Sequence, residues 1–511
     1  MANNRVEWPK ISFIVMSCLS FYGIALASLS GKDFNIPSQY GTIKESFSAP
    51  GANQDAKPVI IHIQDAHCNY EAQKNMSGLL DYLVKNQNLK LIMVEGGSGD
   101  VDLSFLRGYA DKKARVEVAD KYLKEGKISG EEYLDIVSDY PLQLYGIEDQ
   151  ALYDAHMAAF QQVDSFREKG IKDLESLANI IKVLKPLIYS EELRQLEEKK
   201  SQYDDKSLSL VEYCKYLSGM ANKKKLNLED YPHLAAFSDV ARLEKEISFS
   251  QAESQRDAFI KELAKLLDER GVQNLILMTQ GFKAKMITPE KYYSFLRDAG
   301  EEKLDLSRKY PQLAAYIQYV TTSKDVDVAD LLKEISAIEE KIEDASFSNS
   351  EQRRLAEITK SLQILTKALN LELTPEDYEY FQTNKAQLST ASWIDFLAQN
   401  CNKYNISIQP SAAKLIDENL KQLEEFYKIG LEREGAFVKN MEQKINDSNE
   451  KTVVLITGGF HTPGVTRMLK NKGYSYMVMT PAITQKGDSS IYFSVLRGEK
   501  NQLEKALNRE E

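Results

Sequence analysis

The chain has 511 residues, 43% of them hydrophobic and 28% charged, with a formal net charge of -11. A single domain usually runs roughly 100–200 residues, so more than one core is expected. The acidic balance, with no clustered basic block, excludes nucleic acid as a main partner, because phosphate binding needs a basic surface.

At the amino terminus Arg5 and Lys10 precede "ISFIVMSCLSFYGIALA", a run without a charge. A basic start, an apolar stretch and a small-x-small exit at Ala25 and Ala27 read as a secretory signal over residues 1–27, cleaved after Ala27. An uncleaved membrane anchor and lipidation at Cys18 are the alternatives. Any of the three makes the protein exported, either periplasmic or membrane-anchored. The cysteines at 18, 68, 214 and 401 form no CxxC pair, so neither a disulfide framework nor a thiolate zinc site is indicated.

From residue 28 to about 160, short aliphatic runs alternate with helical stretches. "PVIIHIQ" is followed by "EAQKNMSGLLDYLVKN", then "KLIMVEGG", and later "LQLYGIED" before "ALYDAHMAAF". This alternation predicts an α/β fold with a mostly parallel sheet. Residues 161–449 change to Glu/Lys/Leu-rich helix and are read as a helical insertion domain. Leu331, Ile335, Ile338 and Ile342, then Leu355, Ile358, Leu362, Leu365 and Leu369, carry helical spacing on either side of "ASFSNS", which predicts a helical hairpin. "TPE" at Thr288 and at Thr374 marks two helix starts, and Ser348 with Glu351 forms a candidate capping box. "NLILMTQGF" fits strand or helix. The strand pattern returns over 450–500 with "KTVVLITGGFHTPGVTRMLKNKGYSYMVMTP" and a candidate last strand in "SSIYFSVL"; residues 501–511 are a tail.

An internal repeat links the two α/β segments. "VIIHIQDAH" (59–67) and "VVLITGGFH" (453–461) share one phase, each an aliphatic strand ending in histidine, and the two are expected to pair in one sheet.

Ligands of a parallel sheet gather beyond the carboxyl ends of its strands. There the sequence sets Asp65 and His67 after the first strand, Glu95 after the second, Glu148 and Asp149 after the third, and His461 after the repeat's first strand. Two histidines and several carboxylates at convergent strand ends are what general acid/base or metal chemistry requires. His67, Glu95 and His461 are the candidate catalytic residues. His67, Asp65, Glu95, Glu148 and His461 are the candidate ligands of a divalent ion such as Mn²⁺, Zn²⁺ or Fe²⁺.

Asn69 and Thr462 are candidate caps of the helices that follow, with Pro463 at the first helical position. Helix dipoles disfavour imidazolium, so both histidines are expected to be neutral at pH 7. His62, roughly 16 Å from His67 at about 3.3 Å per residue, belongs to the strand as a hydrogen-bonded core histidine. Cys68 beside His67 invites a thiol nucleophile, but neighbours on an extended chain point to opposite sides. His156 reads as an ordinary helix residue and His233 as a loop residue. The glycines of "EGG" (95–97) and "TGG" (457–459) fit close backbone approach, positive φ or simple turns.

"IQDAHCNYEAQ", "LIMVEGG", "YGIEDQ" and "ITGGFHTPGV" together resemble, in order, the elements of the superfamily that groups TraB and Tiki proteins, erythromycin-esterase-like enzymes and ChaN-like haem-binding lipoproteins. The resemblance covers 55–160 and 450–485. It implies a polar pocket holding His67, Glu95, Glu148 and His461, with Asp65 where Glu or Gly is usual. It leaves the arginine of some esterase members and the helical segment without a counterpart. Because that superfamily includes metal-dependent proteases, metal-free esterases and a haem binder, the reaction is not fixed by fold. The resulting expectation is an exported hydrolase cleaving an ester or amide in a small-molecule or peptide substrate. The alternatives are a haem- or metal-binding protein without turnover, or a scaffold whose helical segment is the working surface for a protein partner.

Overall fold

The computed structural model describes residues 27–29, 32–34, 36–49, 57–108, 110–284, 287–301, 303–323, 326, 328–484 and 489–497. Residues 1–26 of the segment read as a signal over 1–27, with Cys18, and residues 501–511 lie outside the described residues. Among the described residues, no helix is long and apolar enough to cross a membrane.

Contacts divide the chain into two compact units. Residues 188–353 form one of them, an all-helical unit with two apolar cores. The first core is built around Phe259, Tyr292, Leu313 and Tyr319, the second around Tyr213, Leu217, Phe237, Leu331 and Ile338. "NLILMTQGF" resolves as part of the helix Glu269–Lys283. Thr288 caps its helix by accepting from the Lys291 N–H, as expected. The cap near "FSNS" is instead Asn349, whose side-chain oxygen accepts from the Gln352 N–H, so the Ser348–Glu351 box is corrected.

The sheet unit contains the remainder, including residues 161–187 and 354–449 from the segment read as insertion. Its site-building elements are, in chain order, β1 (Gly41–Phe47), β2 (Val59–Asp65), α1 (Tyr70–Gln87), β3 (Leu91–Val94), β4 (Ser98–Val101), α2 (Lys112–Lys124), α3 (Gly130–Val137), β5 (Gln143–Ile147), α4 (Gln150–Ile188), α5 (Lys414–Asn446), β6 (Thr452–Gly458), α6 (Thr462–Asn471), β7 (Tyr476–Pro481) and α7 (Ser489–Leu496). "SSIYFSVL" is therefore helix α7 and not a last strand. Its eight residues carry no feature that sequence period alone can assign.

The seven strands run β1-β7-β2-β6-β3-β5-β4, with five parallel strands inside and antiparallel β1 and β4 at the edges. The continuous aliphatic runs of β2 and β6 suit strands covered on both faces. Ile61, Ile63, Val454 and Ile456 pack with Met76, Leu79 and Leu83 of α1 on one face. On the other, Ile60, Met93, Leu455 and Val478 pack with Phe437, Val438 and Met441 of α5. Each fully buried aliphatic side chain contributes about 1.5–3 kcal/mol.

The repeat strands do pair, in parallel, at the centre of the sheet. The ladder joins Ile60 to Val453 and His62 to Leu455, one residue out of phase with the sequence alignment. A one-residue offset places equivalent side chains on opposite faces. His62 is fully buried, its Nε2 2.9 Å from the Thr457 hydroxyl. Burial, with the charge of His461 adding to it, pushes its pKa down to about 4. It is the core histidine that its position in the strand implies.

Candidate functional site

The carboxyl ends of β2 and β3 open on a cleft of about 330 Å³. Asp65, His67, Gln73, Glu95, Glu131 and Arg433 give it a polar floor, and Tyr153, Met157, Phe160, Phe426, Tyr492 and Leu496 give it an apolar wall.

At the mouth, Asp65 ends β2 with a carboxylate that is nearly buried, 3% exposed, while the side chain of His67 is 41% exposed. The two form a short contact through His67 Nδ1. Gln73 fixes the other Asp65 oxygen, donating from Nε2 at 2.6 Å, and its own amide oxygen accepts the Gly130 N–H at 2.7 Å. Asn69 caps α1 as expected, accepting from the Ala72 N–H. The expected neutrality of His67 is corrected. The Asp65 charge outweighs burial and raises the imidazole pKa to about 9, so the ring is cationic at neutral pH. An adjacent carboxylate is stronger here than a helix terminus.

Glu95, at the end of β3, faces into the protein. It accepts from Arg433 Nη2 at 3.0 Å and from the Gly458 N–H at 2.7 Å, and lies 3.6 Å from His461 Nε2. Burial acts to raise its pKa, but His461, Arg433 and His67 together with that N–H prevail and hold it down at about 2. Glu148 is buried and takes both Nε and Nη2 of Arg433, and it also accepts the Gly96 N–H at 3.1 Å. Gly96 sits at φ +89°, which only glycine adopts readily, so the "EGG" turn has a stereochemical reason. Gly458 and Gly459 have no positive φ.

His461 is buried, not part of the cleft lining, and packed between Phe437 and Phe460. Its Nδ1 lies 3.5 Å from Glu434 Oε1. Thr462 is the first residue of α6 and does not cap it; its hydroxyl accepts from the Gln64 amide. A Cβ at Gly464 would meet Glu434 at 1.7 Å, so that glycine admits the carboxylate against α6. The structure thus brings Asp65, His67 and Glu95 to one cleft and sets Glu148 and His461 behind it.

Four residues of this site were given no role from sequence. Arg433 and Glu434 come from α5, where charged residues occupy the buried stripe Ile429, Gly430, Arg433, Glu434, Phe437, Val438, Met441. A charge pair at core-facing helical positions is the signal that points to them. His156, set aside as an ordinary helix residue, accepts from Arg433 Nη1 at Nδ1, 2.9 Å away, and stacks on Phe426. Burial, then the Arg433 charge, lowers its pKa to about 3, so it is neutral. Glu131, in the first turn of α3, is 5% exposed, and burial, then Asp65 and Glu132, raise its pKa to about 8.

Cys68 is not an activated thiol. It takes a left-handed φ of 60°, turns its Sγ toward the Gly126 carbonyl at 3.9 Å, and burial, then Asp65, raise its pKa to about 11.

The residues expected to hold a metal do not fit one. Among the described residues, no three His, Cys, Asp or Glu side chains are placed to ligate an ion. Arg433 already supplies the positive charge between Glu95 and Glu148, and Asp65 is committed to His67 and Gln73. What the arrangement offers is proton transfer: an oriented imidazolium at the mouth, a buried carboxyl group with an unusual proton affinity, and a fixed cation beneath them. In comparisons with known proteins, the chain matches no protein-family model, no curated sequence and no solved structure.

Proposed function

We propose that this protein is an exported hydrolase that cleaves an ester or amide bond by acid/base chemistry in the cleft at the ends of β2 and β3. The observation that carries the reading is the Asp65–His67 pair. A nearly buried carboxylate holds Nδ1 of a half-exposed imidazole, leaving Nε2 as the ring nitrogen available to a ligand in the cleft. This is the orienting logic of nucleophile–base–carboxylate sites, in which the carboxylate fixes the ring and stabilises its charged form. Because Asp65 favours the imidazolium, His67 acts as the proton donor to the leaving oxygen or nitrogen. Glu95, bound by Arg433, is a positioning residue that keeps the guanidinium under the cleft, and His461 holds Glu95 from behind. The apolar wall suits a substrate with an aromatic or aliphatic group beside its scissile bond. The basic start and apolar run of residues 1–27 support export, and the ordered resemblance of four motifs to the TraB, Tiki and erythromycin-esterase-like superfamily supports hydrolysis.

The test is turnover of a panel of carboxylic esters and amides by the purified protein after treatment with a chelator. Turnover that falls about 10²–10⁴-fold in His67→Gln is expected, the range of general acid catalysis. No turnover, with a Soret band on haem addition that His67→Gln removes, would instead support the haem-binding alternative.

A further inference from the structure

An imidazolium donor needs a partner that accepts the proton of the attacking water, and the Asp65–His67 pair does not contain one. Asp65 is occupied by His67 and Gln73, and Glu95 by Arg433 and the Gly458 N–H. Of the other ionisable groups around the cleft, His156 offers Nδ1 to Arg433; its Nε2 also lacks a partner among the described residues, but burial and the Arg433 charge lower its pKa to about 3, which leaves it a weak base.

Glu131 is different. The Ser129 hydroxyl donates to its Oε1 at 2.5 Å, while Oε2 is buried with no hydrogen-bond partner among the described residues, in a side chain that lines the cleft. A buried carboxyl oxygen without a partner carries a desolvation penalty that no contact among the described residues offsets. Its backbone is anchored to the mouth: the preceding residue, Gly130, donates its N–H to Gln73, which in turn holds Asp65. The charged groups facing it are Asp65 from β2, His67 from the following turn and Glu132 on its own helix.

We propose that Glu131 is the base that takes the proton from the attacking water, through Oε2, and that His67 is the acid that serves the leaving group. The inference rests on the hydrolase reading. In the step, the water O–H bond breaks, its proton goes to Glu131 Oε2, and its oxygen bonds to the carbonyl carbon. As the tetrahedral intermediate collapses, the bond from the carbonyl carbon to the leaving oxygen or nitrogen breaks, and that atom takes the proton from His67 Nε2. Solvent then carries the proton from Glu131 back to His67, which leaves the acid and the alcohol or amine as products. The raised proton affinity of Glu131 suits a base working near neutral to mildly alkaline pH.

The experiment compares a p-nitrophenyl ester, whose leaving group needs no proton, with an ethyl ester of the same acid. Both are followed as kcat/KM against pH in wild type, Glu131→Gln, Glu131→Asp and His67→Gln. The proposal expects an ascending limb near pH 8 in wild type. It expects that limb to vanish in Glu131→Gln, with a loss of about 10²–10⁴-fold on both esters, and partial rescue in Glu131→Asp. His67→Gln should lose more on the ethyl ester than on the p-nitrophenyl ester. Should Glu131→Gln not fold, Ser129→Ala supplies the readout: without the hydroxyl that stabilises the carboxylate, the ascending limb moves to higher pH. Activity within threefold of wild type in Glu131→Gln, or an ascending limb that neither change moves, would overturn the assignment while leaving the hydrolase reading in place. If wild type hydrolyses neither esters nor amides, the hydrolase reading fails and the assignment of Glu131 fails with it.

Discussion

His67 and His461 end two matching stretches of sequence on neighbouring parallel strands, yet they have opposite surroundings. His67 stands at the mouth of a cleft, tied to one carboxylate and open to solvent; His461 is buried among Phe437, Phe460, Glu95 and Glu434. The one-residue offset between β2 and β6 puts the repeat's equivalent positions on different faces of the sheet. The same motif gives a solvent-facing, carboxylate-bound imidazole beyond one strand end and a buried one beyond the other. The two regions are held by different physics, and perturbing each should separate them.

The largest expected effect is on the buried side. Replacing Arg433 with Met removes the cation that, among the described residues, pairs with both Glu95 and Glu148 and should cost about 3–5 kcal/mol of stability, the penalty of stranding buried charge. Chemical denaturation checks it, and a loss below about 1 kcal/mol would mean that this network does not hold the sheet ends together. The mouth should behave in the reverse way. His67→Gln should cost less stability than Arg433→Met, because the imidazole side of the pair is exposed to solvent and Gln73 still holds the buried Asp65 carboxylate, while removing most activity. That pair contributes stability below the ordinary histidine pKa, and the contribution fades as pH rises through about 9.

Glu131 gives an intermediate effect with a distinctive pH signature. Its folded-state pKa is raised, so its ionisation destabilises the fold progressively as pH rises from the ordinary carboxyl value toward about 8. Glu131→Gln should therefore be more stable than wild type at pH 8 by a few kcal/mol, on the order set by 1.4 kcal/mol per pKa unit, and equal to it near pH 4. Thermal melts at the two pH values read this difference directly. Glu95 has the opposite sign: its lowered pKa contributes stability above the ordinary carboxyl value that is lost as pH falls toward about 2. Glu95→Gln should flatten the acid limb of the stability curve, the smallest of these effects to resolve because other carboxylates titrate in the same range.

The sheet and the polar strand ends were legible because continuous aliphatic runs ending in His, Asp or Glu carry both the strand and its functional end in a few residues. His62 was legible as structure because five extended residues set it too far from His67. Arg433 and Glu434 were not, because helix α5 lies in a long Glu/Lys/Leu-rich segment where one more charge pair looks like a solvated face. Only its place in a stripe with Phe437, Val438 and Met441 marks it as buried. Glu131 was hidden in the same way, since acidic residues in the first turn of a helix are ordinary and only the packing of α3 against the mouth buries this one. The charge of His67 depends on its ring turning back to Asp65 from beyond the strand, a feature of the loop that periodicity does not encode.

In the proposed mechanism Asp65 sets the charge and orientation of a catalytic His67. The decisive measurement is kcat/KM against pH for ethyl ester hydrolysis in wild type and Asp65→Asn. Wild type should show a descending limb near pH 9, as the imidazolium acid loses its proton. In Asp65→Asn that limb should move down toward the ordinary histidine range, with a maximum lowered by about 10²–10⁴-fold. A descending limb at the same pH in both proteins, or an Asp65→Asn variant as active as wild type, would contradict the mechanism.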